Sequence, residues 1–189
     1  MRRNTLLFDE SGEEHTEETL EVARDRALEL GIQSVVFATS TGKTALKAAA
    51  TFENSGAELL GVTLHAGTWD KYAAPDPEMV QEAEAKGVEF LTATHTLMGH
   101  VGSAIREKFG GIPPAELIAH TYYSFSQGMK VAVEIALMAA DAGSLEGEEE
   151  IISVAGSGSG ADTAIVLAPA YSTSFFDLNI CEILAMPRS

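Results

Sequence analysis

The sequence predicts an α/β fold: a three-layer α/β/α sandwich around a mostly parallel sheet, with an antiparallel hairpin at its C-terminal edge. Short runs rich in β-branched residues alternate with helical patterns over the first half of the chain. Parallel strands need such crossover helices, and these helices cover both faces of a sheet. Near the C-terminus, two strand-like runs are joined by a link too short for a crossover, so they form a hairpin.

Length and composition favour one globular domain spanning residues 1–189. The chain has 46% apolar side chains, enough for one core. Its 12 basic and 28 acidic residues give a net charge of −16, which repels nucleic-acid phosphates and anionic lipid headgroups alike. We therefore expect neither nucleic acid nor a membrane as a partner. A single cysteine and an acidic, weakly apolar N-terminus fit the cytoplasm.

In the first half of the chain, strand, turn and helix follow one another. Apolar residues three and four apart predict a helix over residues 16–30, which Gly31 ends. Strands are predicted at "IQSVVFA", "ELLGVTL" and "VEFLTA", and a helix at "KTALKAAATF". Asp76 followed by Pro77 predicts the start of a further helix, because aspartate caps free amides and proline is tolerated in the first turn.

The second half of the chain is more helical. A short helix is predicted around "LMGHVGSAIREKFGG", with Val101, Ile105 and Phe109 facing inward. Residues 114–142 predict a long helix, bent at Gly128, whose later half is apolar on all sides and therefore buried. The runs "EEIISVAG" and "TAIVLAP" are the hairpin strands, and "FDLNICEILAMP" adds a strand or closing segment.

The turn within "FATSTGKTAL" predicts a site for one phosphate. It leaves a strand and enters a helix, where unpaired backbone amides and the positive end of the helix dipole converge. Phe37 stands where a nucleotide-binding P-loop needs its first glycine, so we expect a shorter cup than a triphosphate cradle. A Ser/Thr helix cap beside a solvated lysine accounts for the same pattern. The residues proposed for the cup are Thr39, Ser40, Thr41, Gly42, Lys43 and Thr44.

The loop within "GSGSGADTA" is the second candidate. It matches G-x-G-x-x-A but precedes a strand, whereas a dinucleotide fingerprint precedes a helix. An ordinary hairpin turn is the alternative to a ligand loop. If the hairpin lies beside the first predicted strand, the loop and the phosphate turn enclose one ligand. The candidate binding residues here are Gly156, Ser157, Gly158, Asp162 and Thr163.

The order of "TSTGKTA" and, later, "GEEEIISVAGSGSGADTAIVL" resembles the C-terminal domain of pyruvate kinase, where matching turns hold a sugar-phosphate effector. The whole chain resembles a family of small, mostly archaeal proteins that consist of this domain alone. "GVTLHAG", "FGGIPPAELIAHT" and "FDLNICEILAMPR" are among the stretches that carry this resemblance. It implies the sandwich fold and bound flavin mononucleotide (FMN). It does not imply pyruvate kinase activity, which belongs to a barrel domain absent from these 189 residues.

A flavin ring needs a slot with a few polar groups. The loops after the second and third predicted strands offer His65, His95 and Gly99 for it. Trp69 and Tyr72 are further aromatic candidates, although covering the rim of the core explains them equally well.

Other chemistry has less support in the sequence. His95 and His100 are five residues apart, a spacing that fits no zinc-binding helix, so no metal site is predicted. Glu134 and Asp141 in the buried helix are expected either to pair with Lys130 or to cap a neighbouring element. The expected function is binding of a phosphorylated small molecule, most simply FMN. The alternatives are phosphate hydrolysis or phosphotransfer through Lys43 and Thr44, and a regulatory effector-binding module. Whether the chain forms a homo-oligomer stays open, because no apolar stripe in the sequence identifies an interface.

Overall fold

The computed structural model describes residues 4–145, 147 and 149–188. Within this part of the chain, seven strands form one sheet. They are β1 (Leu6–Phe8), β2 (Ser34–Ala38), β3 (Glu58–Val62), β4 (Val88–Leu91), β5 (Ile151–Ala155), β6 (Thr163–Ala168) and β7 (Asn179–Pro187). The α-helices described are α1 (Thr16–Leu30), α2 (Lys43–Thr51), α3 (Pro77–Ala85), α4 (Val101–Phe109), α5 (Pro114–Tyr122) and α6 (Gln127–Asp141). Short 3-10 helices lie at Glu13–His15, Ala66–Thr68 and Ser172–Asp177.

The strand order is β1-β7-β6-β5-β2-β3-β4. Strands β5, β2, β3 and β4 run parallel, and β1 runs parallel to β7. Strand β6 is antiparallel to both of its neighbours. The carboxyl ends of β5, β2, β3 and β4 consequently share one edge of the sheet, which is where open α/β sheets bind ligands.

Helices cover both faces of the sheet, as the three-layer prediction requires. Buried residues of α1, α2 and α3 form one core cluster with the sheet, and those of α5 and α6 form the other. Helix α6 is buried on almost every side, and only three of its residues lie outside the buried class. None of the described helices has the length and apolar character needed to cross a membrane.

The antiparallel hairpin is confirmed, with Ala155 opposite Thr163. It does not form the outermost pair of strands, because β7 adds to β6 and β1 adds to β7. The segment "FDLNICEILAMP", predicted to be either a strand or a closing segment, therefore contains strand β7. Strand β1 was not predicted, since three residues are too few to show a strand period.

Helix α4 contradicts the expected burial of its apolar side chains. Val101, Ile105 and Phe109 were predicted to face inward, yet their exposed fractions are 76%, 52% and 75%. The periodicity of a stripe identifies a helical face but not the direction that it faces. In this helix the polar residues Ser103 and Arg106 face the body of the protein, because both bond to the buried carboxylate of Glu116 on α5.

The predicted long helix over residues 114–142 is two helices, so the expected bend at Gly128 is wrong. The break lies between Tyr122 and Gln127, where Ser126 caps α6 by accepting a hydrogen bond from the Met129 amide at 2.8 Å. Gly128 lies inside α6 for a packing reason. A Cβ atom there would stand 2.3 Å from Oγ1 of Thr163 on β6.

Candidate functional site

Four loops carry the predicted site residues to the same edge of the sheet. The turn 39–44 follows β2, and His65 follows β3. His95 and Gly99 follow β4, and the loop 156–162 follows β5. Because these strands are neighbours in the order β5-β2-β3-β4, the predicted residues lie side by side along their carboxyl ends.

The phosphate turn has the predicted strand-turn-helix form, but two of its backbone amides already donate hydrogen bonds to side chains within the turn. The Gly42 amide donates to Oγ1 of Thr39 at 3.1 Å, and the Lys43 amide donates to Oγ1 of Thr41 at 3.4 Å. Gly42 is the N-cap of α2 with φ 104°, in the left-handed region that favours glycine. A side chain at this position would also meet Met79 Cβ at 2.9 Å.

The amides at the start of α2 differ in their partners. The N-cap residue Gly42 has no side chain with which to cap the helix. Within the described residues, the amides of Thr44 and Ala45 donate to no protein acceptor, whereas the Leu46 amide already bonds to Gly42 oxygen. Of these two donors at the positive end of the helix dipole, Thr44 lines the cavity described next, whereas Ala45 is fully buried behind it. The Ser/Thr cap considered from the sequence is present in part, since Thr39 and Thr41 accept from the Gly42 and Lys43 amides but not from the next two.

A cavity of about 280 Å³ lies at this helix start. Thr44, Lys43 and Lys47 line it from α2, and Gly160 lines it from the glycine-rich loop. The N-terminal segment closes it through Glu13, Glu14 and Thr16. The two turns singled out in the sequence therefore do face one cavity, with two lysine side chains in its wall.

Glu13 joins the two turns directly. Its Oε2 atom lies 3.3 Å from Lys43 Nζ and accepts a hydrogen bond from Ser159 Oγ at 3.2 Å. The hydrogen bond and charge of Lys43 lower the pKa of the Glu13 carboxyl below its ordinary value. Thr16 supports the loop by accepting from the Ala161 amide at 3.0 Å. A carboxylate thus already lies between the predicted phosphate turn and the glycine-rich loop.

The glycine-rich loop is held from inside by Asp162. This carboxylate is fully buried, and it accepts from the Ser157 amide at 3.1 Å and from Thr163 Oγ1 at 2.9 Å. Asp162 and Thr163 therefore shape the loop from beneath its surface. Gly156 is needed for the tight turn, since a Cβ there would stand 2.4 Å from Gly160 oxygen.

His65, His95 and Gly99 come together as a second group on the same edge. The two imidazole rings are edge-to-face with centroids 5.0 Å apart. A Cβ at Gly99 would lie 3.3 Å from His65 Nε2 and 3.6 Å from His95 Nδ1. His65 Nε2 is buried and lacks a hydrogen-bond partner in the described part of the chain. Burial lowers the pKa of His95, although the nearby Glu134 carboxylate opposes that shift.

A buried ion pair fixes the loop that carries His95 and Gly99. Glu134 Oε1 accepts from the amides of Leu97 and Met98 at 3.0 and 2.9 Å. Its Oε2 lies 2.5 Å from Lys130 Nζ and 3.8 Å from His95 Nδ1. The predicted Lys130 to Glu134 pairing is confirmed, and both residues are at most 4% exposed. This acid on α6 therefore orients the loop after β4.

The aromatic residues of the loop after β3 occupy different positions. Trp69 turns back on its own strand end, where Nε1 donates to Leu64 oxygen at 2.7 Å. Tyr72 is 65% exposed. The loop is also tied to the phosphate turn, because the Asp76 amide donates to Thr41 oxygen at 2.9 Å.

Two groups of site residues were missed in the sequence. Glu13 and Thr16 lie in an acidic N-terminal stretch whose charge indicates only a solvated surface, and their approach to the glycine loop depends on the tertiary fold. Lys47 lies four residues after Lys43, so both lysines lie on one face of α2. That spacing was the available signal for a second cation at the cavity.

The family model for the pyruvate kinase alpha/beta domain matches residues 17–167 of the 189-residue chain. The chain belongs to this family. The seven-stranded sheet with its C-terminal antiparallel strands agrees with such a domain. The match includes both turns and the histidine pair of this pyruvate kinase alpha/beta domain protein. It leaves out β1, Glu13, Thr16 and β7, so the N-terminal wall of the cavity lies outside the family match.

Proposed function

We propose that this protein binds a phosphorylated small molecule, FMN, along the carboxyl edge of its sheet. The observation that carries the proposal is the cavity at the start of α2. There the Thr44 amide, which has no acceptor among the described residues, lies beside Lys43 and Lys47, and Gly160 of the glycine-rich loop lines the same cavity. Backbone donors and lysine ammonium groups are what a phosphate monoester needs, even on a chain of net charge −16.

The histidine group supports a ligand longer than phosphate. His65 and His95 follow β3 and β4, one and two strands from the phosphate turn on β2. Neighbouring strands lie about 5 Å apart, so the ends of β3 and β4 are roughly 5 to 10 Å from the end of β2, a separation within the length of one nucleotide-sized molecule. The buried Nε2 of His65 has no partner among the described residues and suits the polar edge of a planar ring, and a side chain at Gly99 would crowd this atom.

The residues present therefore fit FMN in two parts. The α2 amides with Lys43 and Lys47 would hold the phosphate, and His65 with His95 would contact the ring. When bound, FMN supplies electron-transfer chemistry to whichever reaction the protein supports. The protein's own contribution is to bind and orient the molecule, in a cytoplasmic setting that the single cysteine and the acidic composition favour.

The test compares the binding of FMN with that of riboflavin, which lacks the phosphate. Binding is measured by flavin fluorescence and by the unfolding temperature. We expect FMN to bind saturably and to raise the unfolding temperature, because a ligand of the native state stabilises it. Lys43→Met and Lys47→Met should weaken FMN about 10-fold or more, as for a lost charged hydrogen bond. Lys86→Met is the control, since Lys86 pairs with Glu82 on α3.

Several outcomes would count against this function. Riboflavin binding as tightly as FMN would exclude the phosphate contact. If FMN leaves the unfolding temperature unchanged while nucleotide hydrolysis requires magnesium and is lost in Lys43→Ala, phosphotransfer is the better account. Ligand-dependent association with another chain, without turnover, would indicate a regulatory module.

A further inference from the structure

Helix α4 presents its apolar side to solvent. None of its nine residues is buried. Val101, Ile105 and Phe109 follow one another at intervals of four residues, so they form one stripe along the helix. More than half of each side chain is exposed. An apolar stripe on a helix of a globular protein normally faces the core.

The polar side of α4 attaches it to the molecule. Arg106 and Ser103 both bond to the buried carboxylate of Glu116, and Ser103 Oγ accepts from the Gly99 amide at 2.8 Å. His100 Nδ1 caps the helix by accepting from the Gly102 amide at 2.8 Å. Isolated helices of this length are marginal in water, and packing of an apolar face supplies most of their stability. Here that face has no partner among the described residues.

Two further apolar side chains are exposed in the segment that follows the helix. Ile112 and Leu117 are 70% and 61% exposed. Together with the three residues of the stripe they constitute the α4 patch. At on the order of 100 Å² per large side chain, the patch amounts to roughly 500 Å², the size at which exposed apolar patches mark interaction sites. With a polar rim it approaches the roughly 800 Å² per partner of a stable dimer.

We propose that a second copy of this chain covers the α4 patch through a two-fold interface. Charge favours a copy over other occupants. The chain carries −16 overall, whereas residues 99–117 contain Arg106, Lys108, Glu107 and Glu116, which sum to zero. Like-charged copies repel each other over most of their surface but not here. A basic partner would bind the acidic surface on the rest of this protein and not this neutral face.

The pattern of the stripe suits a two-fold axis. In an isologous interface the same patch meets itself. With Ile105 at the axis and the two copies of α4 antiparallel, Val101 of one copy lies opposite Phe109 of the other. A small side chain then meets a large one at both ends. This inference does not depend on the proposed ligand.

The test uses the full chain in sedimentation equilibrium at micromolar concentration, without ligand. We expect the mass of a dimer for the natural sequence and of a monomer for Ile105→Asp. Phe176→Asp is the matched control, because Phe176 is 91% exposed and lies outside the patch. It should remain dimeric. Circular dichroism of each variant checks that it is folded.

A second measurement does not depend on a disruptive variant. In a Cys181→Ser background, which removes the natural exposed cysteine, Ile105→Cys should form a disulfide-linked dimer on mild oxidation, whereas Phe176→Cys should not. A monomeric natural chain would overturn the proposal, whether it is alone or bound to another protein. An oligomer unchanged by Ile105→Asp, or equal cross-linking of both cysteines, would also overturn it.

Discussion

Glu13 is the residue on which the proposed phosphate site depends most directly. Its carboxylate lies against Lys43 Nζ and Ser159 Oγ, at the mouth of the cavity that the two turns share. A phosphate entering that cavity competes with this carboxylate for the same donors. In the protein without ligand, Glu13 therefore partly neutralises a local positive field.

Glu13→Gln should strengthen binding of FMN, because the amide keeps the length of the side chain but removes the competing charge. We expect a gain of about 1.5- to 5-fold in affinity at low ionic strength, the scale of one exposed charge interaction. Fluorescence titration measures it. Glu18→Gln on the exposed side of α1 is the control, and equal affinities for the two variants would show that Glu13 does not compete.

His95 should make stability depend on pH. Burial lowers its pKa in the folded protein, with Lys130 and His65 acting in the same direction and Glu134 opposing them. The unfolded chain therefore binds a proton first as pH falls, so the free energy of unfolding decreases below the ordinary histidine pKa, and the loss continues until the lowered folded pKa is reached. Above the ordinary pKa the contribution is constant.

Urea unfolding at pH 7.5 and pH 5.5 tests this expectation. The natural chain should lose more stability between the two values than His95→Gln, whose side chain does not titrate. An identical loss in both proteins would show that His95 is not the group responsible.

At the scale of elements, the Lys130 to Glu134 pair connects α6 to the loop after β4. Each member is buried, and Glu134 also receives two loop amides. Lys130→Met should therefore cost about 3–5 kcal/mol, because it leaves Glu134 buried without its counter-charge. Adding Glu134→Gln should recover part of that loss, since the amide oxygen still accepts from the loop.

Denaturant unfolding of the two single variants and the double variant gives the coupling energy. Additive losses would mean that the pair contributes nothing beyond its separate side chains. If the two residues are coupled, hydrogen exchange of the Leu97 and Met98 amides should also change in Lys130→Met.

Helix and strand periods in the sequence predicted most elements because those elements face one core. Helix α1 follows directly from its apolar spacing, and Asp76 caps α3 with bonds to the Glu78 and Met79 amides. Helix α6 was predicted as the buried half of one longer helix, because the break capped by Ser126 was not recognised. The direction of the α4 stripe was not predictable, since it depends on the polar bonds to Glu116. Strand β1 depends on pairing with β7, almost the whole chain away.

At the scale of the whole molecule, sheet topology determines which residues meet. The two turns were recognisable locally, and their approach follows from β5 pairing with β2. The approach of Glu13 and Thr16 required the path of the N-terminal segment, which no local pattern carries. Net charge predicts what the average surface repels, but one helix start with open amides creates a local exception.

The most direct test of the central claim is the amide NMR spectrum of the labelled protein during titration with FMN and, separately, with inorganic phosphate. We expect both molecules to shift the Thr44 and Ala45 amides most strongly, and FMN to shift the His65 and His95 signals as well. Unchanged Thr44 and Ala45 amides at saturating FMN would contradict the claim.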